Sequence, residues 1–260
     1  MATVETESKT AQLIDGQDFD KEQAKYMDEE YVILVDPQDR VLGRATKKES
    51  HLTTKIKEGM LHRAFSVFLF NSKGELMIQQ RAGVKITFPY LWANTCCSHP
   101  LYVESELIEE NAMGVKNAAV RKVEHELGIT ELKVEDLHFI HKIKYEACQD
   151  ATWGEHEVDW LLFAKKDVAV NINPNEVEAI RFVTPADLRQ IFEDAKQGKC
   201  KIAPWFQAIS ERFLFGWWER LDEIIANDGL TADMKVAESV TDLGVPTNAK
   251  SAESCLAEAQ

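Results

Sequence analysis

Basic charge is scarce in this 260-residue chain: 30 Lys+Arg stand against 44 Asp+Glu, a formal net charge of −14. That balance argues against a general binder of nucleic-acid backbone, which presents a basic field, while leaving room for a small basic pocket around one anionic metabolite. Long apolar runs are missing too, and nothing approaches the roughly 18 residues needed to span a bilayer. Cysteine is sparse and odd in number, with five in the chain and no CxxC pair. A secreted disulfide scaffold would be denser, so the usage points to a reducing compartment. Arginine is absent from Met1 to Glu30, which holds nine acids and three lysines, the opposite of an Arg-rich transit peptide. Aromatic residues are absent from Gly229 to Gln260. The expected layout is therefore an acidic, flexible or weakly helical leader over 1–30, one domain over 31–228, and a flexible tail over 229–260 with too little apolar surface to order fully. Both ends read as dispensable for chemistry, and the acidic leader fits either the cytoplasm or a plastid protein without its transit peptide.

Between the ends, strand and helix signals interleave. Val32–Val35 and Val41–Leu42 flank the turn Asp36-Pro37-Gln38-Asp39, and Phe65–Phe70 and Leu76–Ile78 flank Asn71-Ser72-Lys73-Gly74, which predicts two hairpins. Val115–Leu127 carries Ala118, Ala119, Val123 and Leu127 at helical spacing, with Gly128 as the stop. Further strands are expected around Leu137–Tyr145, Val158–Ala164 and Ala179–Val183. Thr184-Pro185 opens a helix that Gly198 closes, and Pro204–Ala226 reads as one long aromatic helix. Hairpins mixed with helices, without a βαβα rhythm, predict an α+β domain with a mixed sheet packed between helices.

Several clusters bear chemistry. On a strand, Glu155 and Glu157 share a face about 7 Å apart along the chain, able to grip one cation or simply to form a solvated edge. His51, His62 and His99 would complete a mixed nitrogen and oxygen site for zinc, manganese or iron if they converge. Pro100 holds His99 in extended backbone. Cys97, two residues before His99, is either a nucleophile or proton carrier beside that site, or an inert buried thiol like its neighbour Cys96. Lys47, Lys48, Arg63, Arg81 and Lys85 stand out against the acidic background. Arg81 and Lys85 follow a hairpin strand from which both can reach a phosphate, unless they are ordinary surface charge. Arg121, Glu124 and Glu126 ride the end of the predicted helix, where a carboxylate beside a diphosphate can hold magnesium.

Six stretches together carry a resemblance: Leu61-His62-Arg63-Ala64-Phe65-Ser66, Gln80-Arg81-Ala82, Ile86-Thr87-Phe88-Pro89, Asn94-Thr95-Cys96-Cys97-Ser98-His99-Pro100, Trp153-Gly154-Glu155-His156-Glu157 and Pro204-Trp205-Phe206. Over about Tyr31–Ala226 the chain closely resembles the type I, metal-dependent isopentenyl-diphosphate Δ-isomerases of plants and green algae. The resemblance implies a Nudix-like fold and a reversible 1,3-proton shift between isopentenyl and dimethylallyl diphosphate, in isoprenoid biosynthesis. It places one divalent ion (Zn2+, Mn2+ or Mg2+) on His51, His62, His99, Glu155 and Glu157, and Mg2+ with the substrate diphosphate at Glu126. It assigns the catalytic pair to Cys97 and Glu157 with Tyr145 supporting the latter, the diphosphate to Lys47, Arg81 and Lys85, and the aromatic wall to Trp205. The implied partner is a small prenyl diphosphate, with no nucleic acid and no membrane, bound by a monomer. Where a Nudix hydrolase reads Arg-Glu-x-x-Glu-Glu-x-Gly, this chain reads Arg121-Lys122-Val123-Glu124-His125-Glu126-Leu127-Gly128, with Lys122 and His125 replacing two metal-binding acids. The rival readings are a Nudix-type pyrophosphohydrolase and a non-enzymatic metal-binding module.

Overall fold

The computed structural model describes residues 12–14 and 17–259. In chain order the elements are β1 (Gln12–Ile14), β2 (Gln17–Phe19), α1 (Lys21–Glu29), β3 (Tyr31–Val35), β4 (Val41–Thr46), α2 (Lys47–His51) and α3 (Thr53–Lys57). Next come β5 (His62–Phe70), β6 (Leu76–Arg81), β7 (Trp92–Ala93), β8 (Cys96–Ser98), α4 (Met113–Leu127), β9 (His138–Cys148), β10 (Gly154–Lys165) and β11 (Val177–Val183). The chain finishes with α5 (Pro185–Lys196), α6 (Pro204–Ile209), α7 (Phe215–Trp218), α8 (Leu221–Ala226), β12 (Thr241–Gly244) and α9 (Ala252–Glu258). A mixed sheet in the order β11-β6-β5-β10-β9-β12 forms the centre, with β5 and β10 parallel and β9 antiparallel to β10. Off its main path, β3 and β8 pair with β5, and β7 with β6. The expected α+β architecture is therefore present.

Every residue of β5 is buried because both faces of the sheet are covered. Phe65, Val67 and Leu69 pack on α4 through Val115, Ala119 and Val123. Phe68 and Phe70 face the aromatic helices, with Phe206 and Trp218. Helix ends follow local chemistry. Thr46 and Glu49 close a capping box on α2, and Thr184 and Asp187 another on α5 with Pro185 in its first turn. Gly128 ends α4 at φ +64°, and a Cβ there would meet the Asn171 carbonyl oxygen at 2.5 Å.

Three expectations meet a different structure. The long aromatic helix is segmented: α6 runs through a π-helical stretch at Ser210–Leu214 into α7, and Arg220 at φ −115° breaks the chain before α8. Residues 229–259, expected as a flexible tail, dock on the domain: β12 pairs in parallel with β9, α9 buries Ala252 and Cys255, and Cys255 is bridged to Cys148. The cysteine count had pointed away from any such bridge. Of the leader, residues 1–11, 15 and 16 lie outside the described residues, while α1 is a regular helix capped by Asp20 and held by buried Gln23, Ala24 and Met27.

Candidate active site

Strand alternation aims the central side chains. On β10, Glu155, Glu157 and Asp159 share the face of Leu161 and Phe163, toward the aromatic helices. His62, paired in register with Glu157, opens β5 on the same face. β8 brings Cys97 opposite Ser66 on that side and leads into His99, and α2 delivers His51 from its last turn. The candidate ligand atoms of His51, His62, His99, Glu155 and Glu157 all lie within 4.8 Å of one another, and all five residues are buried. The convergence that spacing alone left open is present.

Closest approaches are His99 Nε2 to Glu157 Oε1 at 2.7 Å, His51 Nε2 to Glu155 Oε2 at 2.8 Å, and His62 Nε2 to Glu157 Oε1 at 3.3 Å. Outside the cluster, His51 Nδ1 lies 2.6 Å from the Lys47 carbonyl oxygen, which fixes the ring and leaves Nε2 inward. His62 Nδ1 and His99 Nδ1 are buried without a hydrogen-bond partner, while His51 Nε2, His62 Nε2 and Glu155 Oε2 meet only the facing members of the cluster at ion-pair distance. Each such orphan costs about 1–3 kcal/mol, so the cluster fits a divalent cation that three imidazoles and two carboxylates can coordinate. Burial works to raise the Glu157 carboxyl, but His62, the Tyr145 hydroxyl and the charge of His51 outweigh it and hold it below its ordinary range. Tyr145 donates to Glu157 Oε2 at 2.5 Å.

A narrow cavity opens beside the cluster, lined by Lys47, Arg81, Lys85, Cys97, His99, Tyr145, Glu155, Glu157 and Trp205. Arg81 is buried, and its guanidinium donates to the carbonyls of Phe88 at 3.0 Å and Thr87 at 2.8 Å. The same loop holds Phe88 (φ +49°) and Tyr90 (φ +65°) in left-handed backbone, a strain of the kind found at ligand clamps. Arg81 Nη1 also lies 3.6 Å from Cys97 Sγ. Burial pushes the Cys97 thiol up to about 12 against the lowering charge of Arg81, so it stands protonated at neutral pH. Trp205 closes the wall, edge-on to Phe88 and beside Tyr145, with its indole N–H donated to Asn94. Lys47 pairs with Glu30 at 2.9 Å and Lys85 with buried Glu176.

Other singled-out residues are placed elsewhere. Cys96 faces the opposite side of β8, in the core under α4, with Sγ 3.5 Å from Glu126. Glu126 is buried and receives a hydrogen bond from Gln79 at 3.1 Å. Glu124 is exposed, and Arg121 pairs with Glu106. Arg63 is spent on Asp39 and Glu109, and neither it nor Lys48 lines the cavity. The sequence reading missed Gln23 and Met27 of α1, and Ile86, Thr87 and Ser98, all of which line it. Asp20 followed by Ala24 and Met27 at helical spacing was the legible sign that the leader holds a packed helix.

Residues 60–206 match the NUDIX domain. An isopentenyl-diphosphate delta-isomerase of Gibberella zeae is 51% identical over 208 residues, 78% of this chain and 81% of that protein. One from Camptotheca acuminata is 49% identical, covering 84% of this chain and 94% of that protein, and one from Bos taurus 47%, covering 80% and 92%. The chain has a NUDIX scaffold, and within that class it belongs to the isopentenyl-diphosphate delta-isomerases.

Proposed function

We propose that this enzyme interconverts isopentenyl and dimethylallyl diphosphate by a 1,3-proton shift, with Cys97 and Glu157 moving the protons. The observation that carries the reading is that one cavity holds the thiol of Cys97, the carboxyl of Glu157 with its Tyr145 partner, and the indole of Trp205, directly against the His and Glu cluster. Protonating an unactivated alkene creates tertiary carbocation character, so the site must supply an acid at the terminal methylene, a base at the allylic carbon, and shelter from water between the two. A protonated thiol and a buried carboxyl together meet the first two demands, one giving a proton while the other takes one, and they exchange roles as the direction reverses. The Trp205 face offers cation–π stabilisation, worth about 2 kcal/mol or more in a desolvated site. Lys47, Arg81 and Lys85 hold the diphosphate and screen its charge from Glu157.

His51, His62, His99, Glu155 and Glu157 would hold Zn2+, Mn2+ or Mg2+, which when bound supplies positive charge that lowers the proton affinity of the Glu157 carboxyl. Glu126 would hold Mg2+ together with the substrate diphosphate, since magnesium prefers oxygen ligands shared with phosphates. The catalytic unit spans 31–228, with α1 added as part of the cavity wall, and acts as a monomer on a small prenyl diphosphate. Among the described residues no helix is long and apolar enough to cross a membrane. Relatives from Cannabis sativa and Arabidopsis thaliana are named chloroplastic, which supports a plastid setting, with the cytoplasm as the alternative.

Incubation with isopentenyl diphosphate in heavy water tests the reading. Deuterium is expected in the dimethylallyl product, with no phosphate or pyrophosphate released. Release of inorganic phosphate without exchange would instead establish the pyrophosphohydrolase reading. That rival is disfavoured by Lys122 and His125 where a hydrolase carries metal-binding acids.

A further inference from the structure

Away from the histidine cluster, a second group of buried charges gathers on the inner face of α4. Lys122 is 4% exposed, with Nζ 3.4 Å from Glu126 Oε1, 3.8 Å from Glu176 Oε1 and 3.2 Å from His125 Nδ1. Glu126 and Glu176 are themselves 1% and 2% exposed. The second oxygen of Glu126 is satisfied by Gln79 and Cys96, but Oε1 has no hydrogen-bond donor and meets only the ammonium of Lys122 at ion-pair distance. Two carboxylates converging on one point, one of them with an unpartnered buried oxygen aimed at that point, make an oxygen-donor site for a hard divalent cation. Here the point is filled by an ammonium on a side chain.

We propose that Lys122 is a tethered cation that holds the place of a divalent ion between Glu126 and Glu176, so that Glu126 takes its ion only when a diphosphate brings further oxygen ligands. The physical basis is charge and ligand number. The ammonium of Lys122, with Lys85 on the other oxygen of Glu176, neutralises the two acids without coordinating them. It leaves Glu126 as a single available carboxylate, too few oxygens to retain Mg2+ or Mn2+ unaided. It also binds no water as a ligand, so it adds no activated hydroxide beside the diphosphate. Lys122 is then a determinant of reaction specificity acting through Glu126.

The inference rests on reading Glu126 as the carboxylate facing the diphosphate's magnesium. Its test counts ions without turnover, so loss of activity and failure of the inference are separate results. Bound Mn2+ per full-length chain is measured by equilibrium dialysis and electron paramagnetic resonance, without substrate and then with pyrophosphate. Lys122→Met and Lys122→Glu are expected to hold one more Mn2+ than the wild-type chain in the absence of pyrophosphate, Lys122→Arg to match the wild type, and Lys122→Met/Glu126→Gln to lose the increment. Wild-type counts in both charge-removing variants, with circular dichroism showing them folded, would overturn the proposal. Should those variants not fold, Glu126→Gln decides it. An unchanged count without pyrophosphate and one ion fewer with it supports the inference, and one ion fewer without pyrophosphate refutes it.

Discussion

Adjacent residues on a strand have opposite fates, and Cys96-Cys97 shows how far that single rule of backbone geometry reaches. Both thiols are pushed up by burial, so titration does not separate them; direction does. Cys97 looks into the cavity beside Arg81 and Trp205, and Cys96 into the core under α4. Cys97→Ala is accordingly expected to lower kcat by about 10²–10⁴-fold, the usual worth of a positioned acid or base, with little change in melting temperature. Cys96→Ala should keep much of the turnover and lose some stability. Steady-state kinetics with thermal melts of both variants checks this, and equal, mild effects on kcat would remove Cys97 from the mechanism. Of the five clustered residues, His62, His99, Glu155 and Glu157 were legible because each lies in a stretch that carries the family resemblance, whereas His51 lies in none of them. Glu176 was not legible, because its importance lies in Lys85 and Lys122 arriving from other elements, and a lone glutamate after a turn announces nothing.

Among elements, the two chain ends are the places where composition misled. The leader's charge hid α1, whose Gln23 and Met27 form part of the cavity wall, with Gln23 donating to Asn175 and Glu176. Removing residues 1–29 should therefore lower kcat/KM by about tenfold or more, equivalent to about 1.4 kcal/mol of lost transition-state stabilisation. Unchanged kinetics of the truncated enzyme would return the leader to the dispensable status that its sequence suggested. The tail's lack of aromatics hid a different source of order. β12 is held by backbone pairing to β9, the Cys148 amide donates to the Lys250 carbonyl, and the Cys148–Cys255 bridge closes a sequence separation of 107 residues. None of these leaves an apolar signature. Among the residues lining the cavity none comes from 229–259, so Cys255→Ala should cost about 2–4 kcal/mol of stability while kcat stays within a few-fold of wild type. Denaturant melts paired with assays measure both, and a collapse of kcat without loss of stability would show that the clasp serves the chemistry. The central strands, α4 and α5 were readable from periodicity, whereas α2, α3, β7 and β8 are too short to carry a period and were not. Nor was the break at Arg220, because apolar residues continue across it from Trp217 and Trp218 to Leu221, Ile224 and Ile225.

For the whole molecule, the cluster of His51, His62, His99, Glu155 and Glu157 can take up a proton or a divalent cation, and the two uses compete. Burial alone would lower His51, but the Glu155 carboxylate at 2.8 Å raises it above its ordinary value. His99 is driven well below its own by burial and by the neighbouring His51 and His62. In the metal-free protein Glu155 thus favours a proton on His51, in the place where a bound cation would put its charge. Because the folded value of His51 is raised, its stabilising contribution is fully present below its unfolded value near 6.5 and is lost as pH climbs through the folded value. His99 works with the opposite sign: its neutral folded form contributes above about 6.5 and is lost as pH falls, when the unfolded chain takes up the proton. Loading the cluster requires His51 to give up its proton, so affinity should rise about tenfold per pH unit at pH below the raised folded value and level off above it. In melting experiments the gain on adding Mn2+ or Zn2+ should be small at pH 5.5 and large at pH 8, reaching about 2.7 kcal/mol when free metal is a hundredfold above Kd. Titration in weak buffer near pH 7 should show protons released as metal binds, and His51→Gln should abolish most of that release. Equal melting shifts at both pH values with no proton release would mean that the imidazoles and carboxylates, however close, do not hold the ion together.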